Sequence, residues 1–460
     1  MLDSVRRRLQ ISPAMWLRML IVGGVLAGLL VVGVAAPRFP VDFMLVGIGM
    51  MAVLLLPHRI EWGVVGILVT AAFVRFEIST GTQSPIVASL MVSAMVLGLW
   101  LAERFVIRRD LQFAPAPTNV PLFGFVAAAL ISYVWSNAFR DILVRVWDTW
   151  PLVQLGALTV IVLLPGVYLL ASNVLQNVRW LAILTGLVIA VGTLALARDV
   201  LNIGLPFLQV EGLFSMWFVA FTVSQAFFNE DLPDTVRLGL LGVASVWLYM
   251  YAIRRVTWLS GWLPAMVVVM ILTFVRSKWL FLILVVALLL YFGLNFSYYR
   301  DVVFAAEYRI SGQTRLAAWL QNFEVTGKHL LFGTGPAGYA VYYMTYFPRE
   351  AMASHSNYID VLAQMGVVGL AFSLWFFAAL GWMGWKLWGR LRERRDFHEA
   401  FAVAGLAGWA GSVVAMAFGD WLFPFAYTQG IAGYDHAVYT WLLLGATAAL
   451  FHITSREGAE

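Results

Sequence analysis

This chain lacks cysteine altogether, which excludes disulfides, a thiolate nucleophile and any Cys-based metal site. Charge is scarce as well, at 12% of 460 residues, where an ordinary soluble domain carries about a quarter. No Walker A run, Asp-x-Asp pair or His-x-x-x-His spacing occurs, so neither nucleotide hydrolysis nor a divalent-metal site is expected. No cofactor is implied. No internal repeat and no low-complexity linker interrupts the chain.

What is abundant is apolar surface. Hydrophobic residues make up 62% of the sequence, and they gather into runs of the length, roughly 17 to 25 residues, that crosses a hydrocarbon core about 30 Å thick. Fourteen such runs are read, near 16–36, 41–56, 61–76, 85–102, 121–138, 150–171, 178–197, 212–228, 236–253, 257–275, 279–297, 357–385, 400–419 and 436–453. The second and third are the shortest on this reading, so the fold class expected is an all-α polytopic membrane protein of about 12–14 transmembrane helices. The Arg-rich start ahead of 16–36 imitates a signal peptide, but Pro37 after Val34-Ala35-Ala36 is a poor cleavage context, and 16–36 is read as an uncleaved first span.

The formal net charge of +5 does not point to nucleic acid, because the basic residues are placed for topology. Arg6, Arg7 and Arg8, then Arg104, Arg108 and Arg109, then Lys386, Arg390, Arg392, Arg394 and Arg395 fall in loops that the fourteen-span count puts on one side. By the positive-inside rule that side is the cytoplasm, and both termini lie there. Membrane lipid is the solvent expected around the bundle.

One long polar interruption stands out. Residues 298–356, far longer than a usual connection, separate an N-terminal membrane bundle, 1–297, from C-terminal spans, 357–460. The interruption is too rich in aromatics for a solvated tether, including Tyr298, Tyr299, Trp319, Tyr339, Tyr342 and Tyr343. Leu316, Trp319, Leu320 and Phe323 recur at i, i+3, i+4, i+7, predicting a short amphipathic helix on the bundle or at the lipid interface. Eleven spans from a cytoplasmic N-terminus put this loop outside the membrane, and the basic cluster after the next span returns to the inside. The spans hold almost no ionisable residue away from their ends, which lowers the transporter reading and moves the expected chemistry to the outer rim.

The candidate residues sit in three patches: Gly312-Gln313-Thr314-Arg315-Leu316-Ala317-Ala318-Trp319, Leu331-Phe332-Gly333-Thr334-Gly335-Pro336-Ala337-Gly338-Tyr339, and His355-Ser356-Asn357-Tyr358 leading into Gln364-Met365-Gly366. A His beside a helix N-terminus meets the positive end of the dipole, which favours the neutral imidazole that a general base needs. Asn357 and Asp360 are spaced as an N-cap and its reciprocal partner. Arg315 offers a planar, permanently charged fork suited to a diphosphate, with Arg309 as its neighbour in the loop. Gly333 and Gly335 are placed to form a backbone nest for phosphate oxygens or, equally, a tight packing turn. His436 beside Asp435, and Asp420, are rivals for the base in the last outer loop.

These patches, in this order, resemble the O-antigen ligase/polymerase superfamily, membrane glycosyltransferases of the GT-C type, over roughly residues 236–385. The resemblance implies transfer of a glycan from a polyprenyl-diphosphate carrier to a glycan or lipid acceptor, at an extracytoplasmic site in the cytoplasmic membrane, without metal. It implies His355 as the base, Arg315 and Arg255 as the catalytic cations, and Arg254, Arg309, Gly333, Gly335, Tyr339 and Asn357 as substrate contacts. The earlier arginine of the pattern has two matches here, Arg254 and Arg255; Arg276 beside Lys278 is one span from the loop and is read as cytoplasmic. Ligase and repeat-unit polymerase share the chemistry. A non-catalytic flippase or exporter is the alternative from another class.

Overall fold

The computed structural model describes residues 59–80, 84–110, 112–254, 259–304, 313–348, 354–425 and 429–457. The spans expected at 16–36 and 41–56 lie outside these residues, as do Arg255 and Arg309. From residue 59 onward every apolar run of the sequence is a helix. They are α1 (Glu61–Phe73), α2 (Ala88–Ala102, continued by a π turn to Arg108), α3 (Asn119–Ala138), α4 (Trp150–Val174) and α5 (Val178–Leu201). Then come α6 (Phe214–Phe228), α7 (Asp234–Leu248, continued by a π turn to Arg254), α8 (Leu259–Arg276) and α9 (Lys278–Leu294). The long loop supplies α10 (Gln313–Lys328) and α11 (Gly338–Tyr346), and the chain closes with α12 (Asn357–Leu391), α13 (Phe397–Phe418) and α14 (Tyr434–Glu457). A hairpin of two-residue strands, Glu77–Ile78 with Ile86–Val87, is the sole sheet among the described residues. Backbone N–H and C=O groups have no water to bond in hydrocarbon, so apolar runs of this length settle as helices.

α14 sits at the centre, packed on α4 and α1, while α13 lies among α8, α12 and α6. α9 is the opposite case. None of its residues is buried, and Ile283, Leu289, Leu290 and Leu294 point outward, as a helix facing lipid on most sides requires.

The bundle has two chemically distinct ends. At one, the turn between α6 and α7 meets the turn between α12 and α13 through Arg395 and Glu230, 3.3 Å apart; Arg276 and Lys278 are at the same end by helix direction. At the other lie the C-terminal ends of α5 and α7, the N-terminal ends of α6, α8 and α12, and the segment after α13.

α12 holds the loop in place through a break. Gly366 sits at φ 66°, ψ −168° inside the helix, freeing backbone groups on both sides of it. The Gly-rich run occupies that gap: Thr334 N–H donates to Ala363 O and Gly335 N–H to Gln364 O, each at 2.9 Å. In return Val367 N–H donates to Leu330 O at 2.8 Å. A broken transmembrane helix is tolerated where neighbouring backbone satisfies it again. Gly333 and Gly335 are both in the left-handed region, φ 68° and 89°, and a Cβ on Gly333 would meet the Gln364 carbonyl carbon at 2.5 Å. The L-F-G-T-G and Q-M-G-V-V segments are thus two halves of one joint.

The amphipathic helix expected around Arg315 is α10, and its apolar stripe faces away from the bundle. Leu316, Leu320 and Phe323 are exposed, whereas Ala318, Asn322 and Val325 are buried.

Candidate active site

A cavity of about 640 Å³ opens at the end of the bundle away from the Arg395–Glu230 contact, and its walls include Arg315, His355 and Asp420. Two of the sequence patches therefore meet in space. The connection between them is visible: Trp319, one turn after Arg315 on the same helix face, donates its indole N–H to Ser354 O at 2.8 Å. The spacing Arg-(x)3-Trp ties the arginine's helix to the residue before His355.

His355 is held in the left-handed region, φ 50°, where a non-glycine residue is uncommon and histidine is among the more tolerant types. Its neighbours pin it there. Ser356 N–H donates to Ser354 Oγ at 3.1 Å, Ser356 Oγ to Met416 O at 3.3 Å, and both serines are buried. His355 Nδ1 lies 3.6 Å from Asp420 Oδ2, the imidazole 37% exposed and the carboxylate 3%. With Nδ1 turned to the acid, Nε2 is the nitrogen free to face a reacting group.

Asn357 does not act as the expected N-cap. Ser356 occupies that position without a side-chain cap bond, and Asn357 is the first residue of the helix. Its amide is committed elsewhere: Nδ2 donates to Phe423 O at 2.6 Å, and Oδ1 accepts Leu422 N–H at 3.0 Å. Trp441 Nε1–H adds a bond to Leu422 O at 2.9 Å. Asn357 thus clamps the turn that carries Asp420, so the residue two after the histidine positions the histidine's partner.

The remaining sequence candidates separate. The amides of Gly333, Thr334, Gly335 and Gly338 are all hydrogen-bonded within the chain, so the run serves as a docking joint and offers no open nest. Tyr339 is fully buried against Tyr343 and Phe425. Arg254 is exposed and is not among the cavity-lining residues, although Tyr251 before it and Ser260 and Trp262 after it line the wall. Arg276 is at the far end of the 18-residue α8, about 25 Å away at 1.5 Å per residue. Of the rivals, His436 is 3.6 Å from Glu211 and Asp435 hydrogen-bonds Ser89; neither lines the cavity.

Sequence reading missed two groups. Arg198, Asp199 and Tyr251 form a polar cluster on the cavity wall: Arg198 Nε–H donates to Asp199 Oδ1 at 2.7 Å, and Tyr251 hydroxyl donates to the other oxygen. The adjacency of Arg198 and Asp199 at a helix end was the available signal. The second is His329, whose Nε2 is 3.0 Å from Asp141, while Tyr346 OH donates to the other oxygen of that carboxylate at 2.8 Å. That network joins the α3–α4 connection to the long loop, away from the cavity. Trp247, Trp262, Trp421 and Phe214 complete walls that are mostly apolar.

Fold and site together define an all-α, multi-pass membrane protein with an imidazole, a carboxylate and arginines gathered at one end of the bundle. Residues 236–374 match the family described as O-antigen ligase, the O-antigen ligase/polymerase superfamily that the motifs resemble. The matched segment contains Arg315 and His355; Asp420 and Arg198 lie beyond it. No curated protein matches the chain.

Proposed function

We propose that this protein is a membrane glycosyltransferase that moves a glycan from a polyprenyl-diphosphate carrier to an acceptor hydroxyl on the outer side of the cytoplasmic membrane. The observation that carries this reading is the convergence of Arg315 and His355, from separate motifs of the matched domain, on one cavity with Asp420 beside the imidazole. A neutral imidazole with a carboxylate behind it is equipped to take a hydroxyl proton. A guanidinium on the same wall is equipped to meet the charge that develops on a leaving diphosphate.

In this reading the acceptor oxygen attacks the anomeric carbon as the bond from that carbon to the diphosphate oxygen breaks. The hydroxyl proton passes to His355 Nε2, the electron pair leaves with the diphosphate, and in-line attack inverts the anomeric centre. Arg315 binds the diphosphate with help from Arg254 or Arg255, which fall in sequence between the cavity-lining Tyr251 and Ser260. Gly333, Gly335, Tyr339 and Asn357 support the site by holding the loop and the Asp420 turn. The aromatic walls suit sugar faces and the first isoprene units. The end bearing Arg276, Lys278 and Arg390–Arg395 faces the cytoplasm by the positive-inside rule; a reporter at position 349 that scores as cytoplasmic overturns this orientation.

The test is transfer by purified protein with added donor and acceptor. His355→Ala should lower turnover by about 10²–10⁴-fold with donor binding retained, and Arg315→Lys should weaken donor use despite keeping the charge. Near-normal turnover in His355→Ala would hand the lead to the exporter reading. A ligase and a repeat-unit polymerase differ only in acceptor: deletion of the gene leaves finished polymer on its carrier in the first case and single repeat units in the second.

A further inference from the structure

The chemistry above leaves one wall of the cavity without a task. α5 and α7 both pack on α6, and side chains join them at the cavity. Tyr251 donates its hydroxyl to Asp199, whose other oxygen accepts Arg198 Nε–H at 2.7 Å. Arg198 Nη1–H donates in turn to Leu208 O at 3.1 Å, which holds the guanidinium on a second side. All three residues line the cavity, and the side chains of Arg198 and Asp199 are 26% and 21% exposed. The array is reachable from the cavity and is oriented before any ligand arrives.

Aromatic rings flank it. Trp247, four residues before Tyr251, stacks on the tyrosine ring with centroids 5.1 Å apart, and both it and Trp262 line the cavity. Apolar and aromatic walls with a few fixed polar groups are the usual make-up of a small-ligand site. The polar groups narrow the ligand. A carboxylate and a guanidinium held side by side offer an acceptor next to donors, which matches two neighbouring hydroxyls, each able to give and to take a hydrogen bond. An aromatic face is negative at its centre and suits the C–H face of a sugar ring. Arg198 and Asp199 form an ion pair, and Glu211 brings a further carboxylate to the same cavity, so an acidic sugar meets a repulsion that an uncharged one does not. An ion pair kept for stability alone gains little over apolar side chains of similar volume, whereas this one faces the cavity.

We propose that Arg198, Asp199 and Tyr251, with Trp247 and Trp262, form a subsite for an uncharged pyranose with neighbouring free hydroxyls. Asp199 accepts from one hydroxyl, Arg198 donates to the next, and the indole rings take the C–H face. The inference rests on the glycosyltransferase reading and deepens it by naming the class of sugar that this wall takes, whether that sugar belongs to the donor or to the acceptor.

Two arms test it. In the first, donor and acceptor are varied separately in the transfer assay. Asp199→Asn should raise KM by about 10- to 100-fold and Tyr251→Phe by about 2- to 10-fold, the scales of a hydrogen bond to a charged and to a neutral group. The rise should fall on one substrate only, with kcat changed far less and unfolding midpoints close to that of the unmodified protein. A shift in the donor's KM assigns the sugar to the carrier-linked glycan, and a shift in the acceptor's KM assigns it to the acceptor. Glu230→Gln, at the opposite end of the bundle, is the control and should change neither. The second arm needs no turnover: saturation-transfer NMR on the purified protein, with methyl glycosides of neutral hexoses, of N-acetylhexosamines and of hexuronic acids as probes. At least one uncharged glycoside should receive saturation, the hexuronides should not, and both variants should weaken the signal. The proposal is overturned if no uncharged probe binds, if hexuronides bind equally well, or if both variants lower stability and turnover while leaving the two KM values and the NMR signal unchanged. Should Asp199→Asn fail to fold, Tyr251→Phe, which keeps the ring, still decides. Absence of transfer by the unmodified protein would sink the glycosyltransferase reading instead, and the NMR arm would still report on the subsite.

Discussion

Trp319 reaches across 35 residues of sequence to donate its indole N–H to the carbonyl of Ser354, 2.8 Å away. This single bond sets the helix carrying Arg315 against the strained residue His355. Guanidinium and imidazole line the same cavity.

Trp319→Phe keeps the aromatic ring and removes the donor. A net cost of about 0.5–1.5 kcal/mol in stability is expected, while transfer should fall by about 10- to 100-fold if the bond positions the site. Thermal unfolding and turnover on the same preparation check it; unchanged turnover would refute the coupling.

Asn357→Ala should loosen the 420–423 turn, because Leu422 N–H and Phe423 O lose their partner in a buried setting. Each orphaned group costs about 1–3 kcal/mol. The distinguishing result is a drop in turnover larger than the loss of thermal stability accounts for, since the displaced turn carries Asp420.

Gly335→Ala should be poorly tolerated. Its φ of 89° disfavours an L side chain, and the new Cβ would overlap Ser136; strain of this kind costs about 1–3 kcal/mol. Gly327, exposed in α10 with open space around it, is the control, and Gly327→Ala should be neutral or stabilising by up to about 1 kcal/mol. Equal unfolding midpoints for the two variants would contradict the docking role of the Gly-rich run.

Asp396 links stability to pH at the other end of the bundle. It caps α13, accepting the N–H groups of His398 and Glu399 at 3.0 and 3.1 Å. Burial pushes its carboxyl up, but the Glu399 N–H together with His398 and Arg394 outweighs burial and holds it below the usual carboxylate range. A depressed folded value means the contribution is present above the ordinary aspartate value, about 3.9, and is lost as pH falls through the lower folded one. Asp396→Ala should cost about 0.5–2 kcal/mol near neutral pH, with the difference from the unmodified protein closing in strong acid. A gap that stays constant down to that range would remove the linkage.

The helices from residue 59 onward were legible in the sequence because hydropathy is a local property. A run of apolar residues in lipid has no alternative to satisfying its own backbone, so span and fold class followed from composition and length. The patches around Arg315 and His355 were legible too, as polar islands in an apolar chain. The roles of the other candidates were not. Gly333 and Gly335 read equally as a phosphate nest or a packing turn, and only the folded chain shows where their amides go: Gly333 N–H to His329 O, and Gly335 N–H to Gln364 O beside the break at Gly366. Asn357 had the spacing of a cap, but its side chain serves a turn 65 residues away.

By itself, then, the sequence determined a multi-pass helical bundle, a long polar interruption with its amphipathic helix and the residue types available for chemistry. Tertiary structure alone decided that Asp420 stands beside His355 and that Arg198 shares their cavity. The reason is physical: helix formation in a bilayer depends on neighbours along the chain, whereas which carboxylate meets which imidazole depends on how helix ends from distant parts of the chain are packed, and no local pattern encodes that distance.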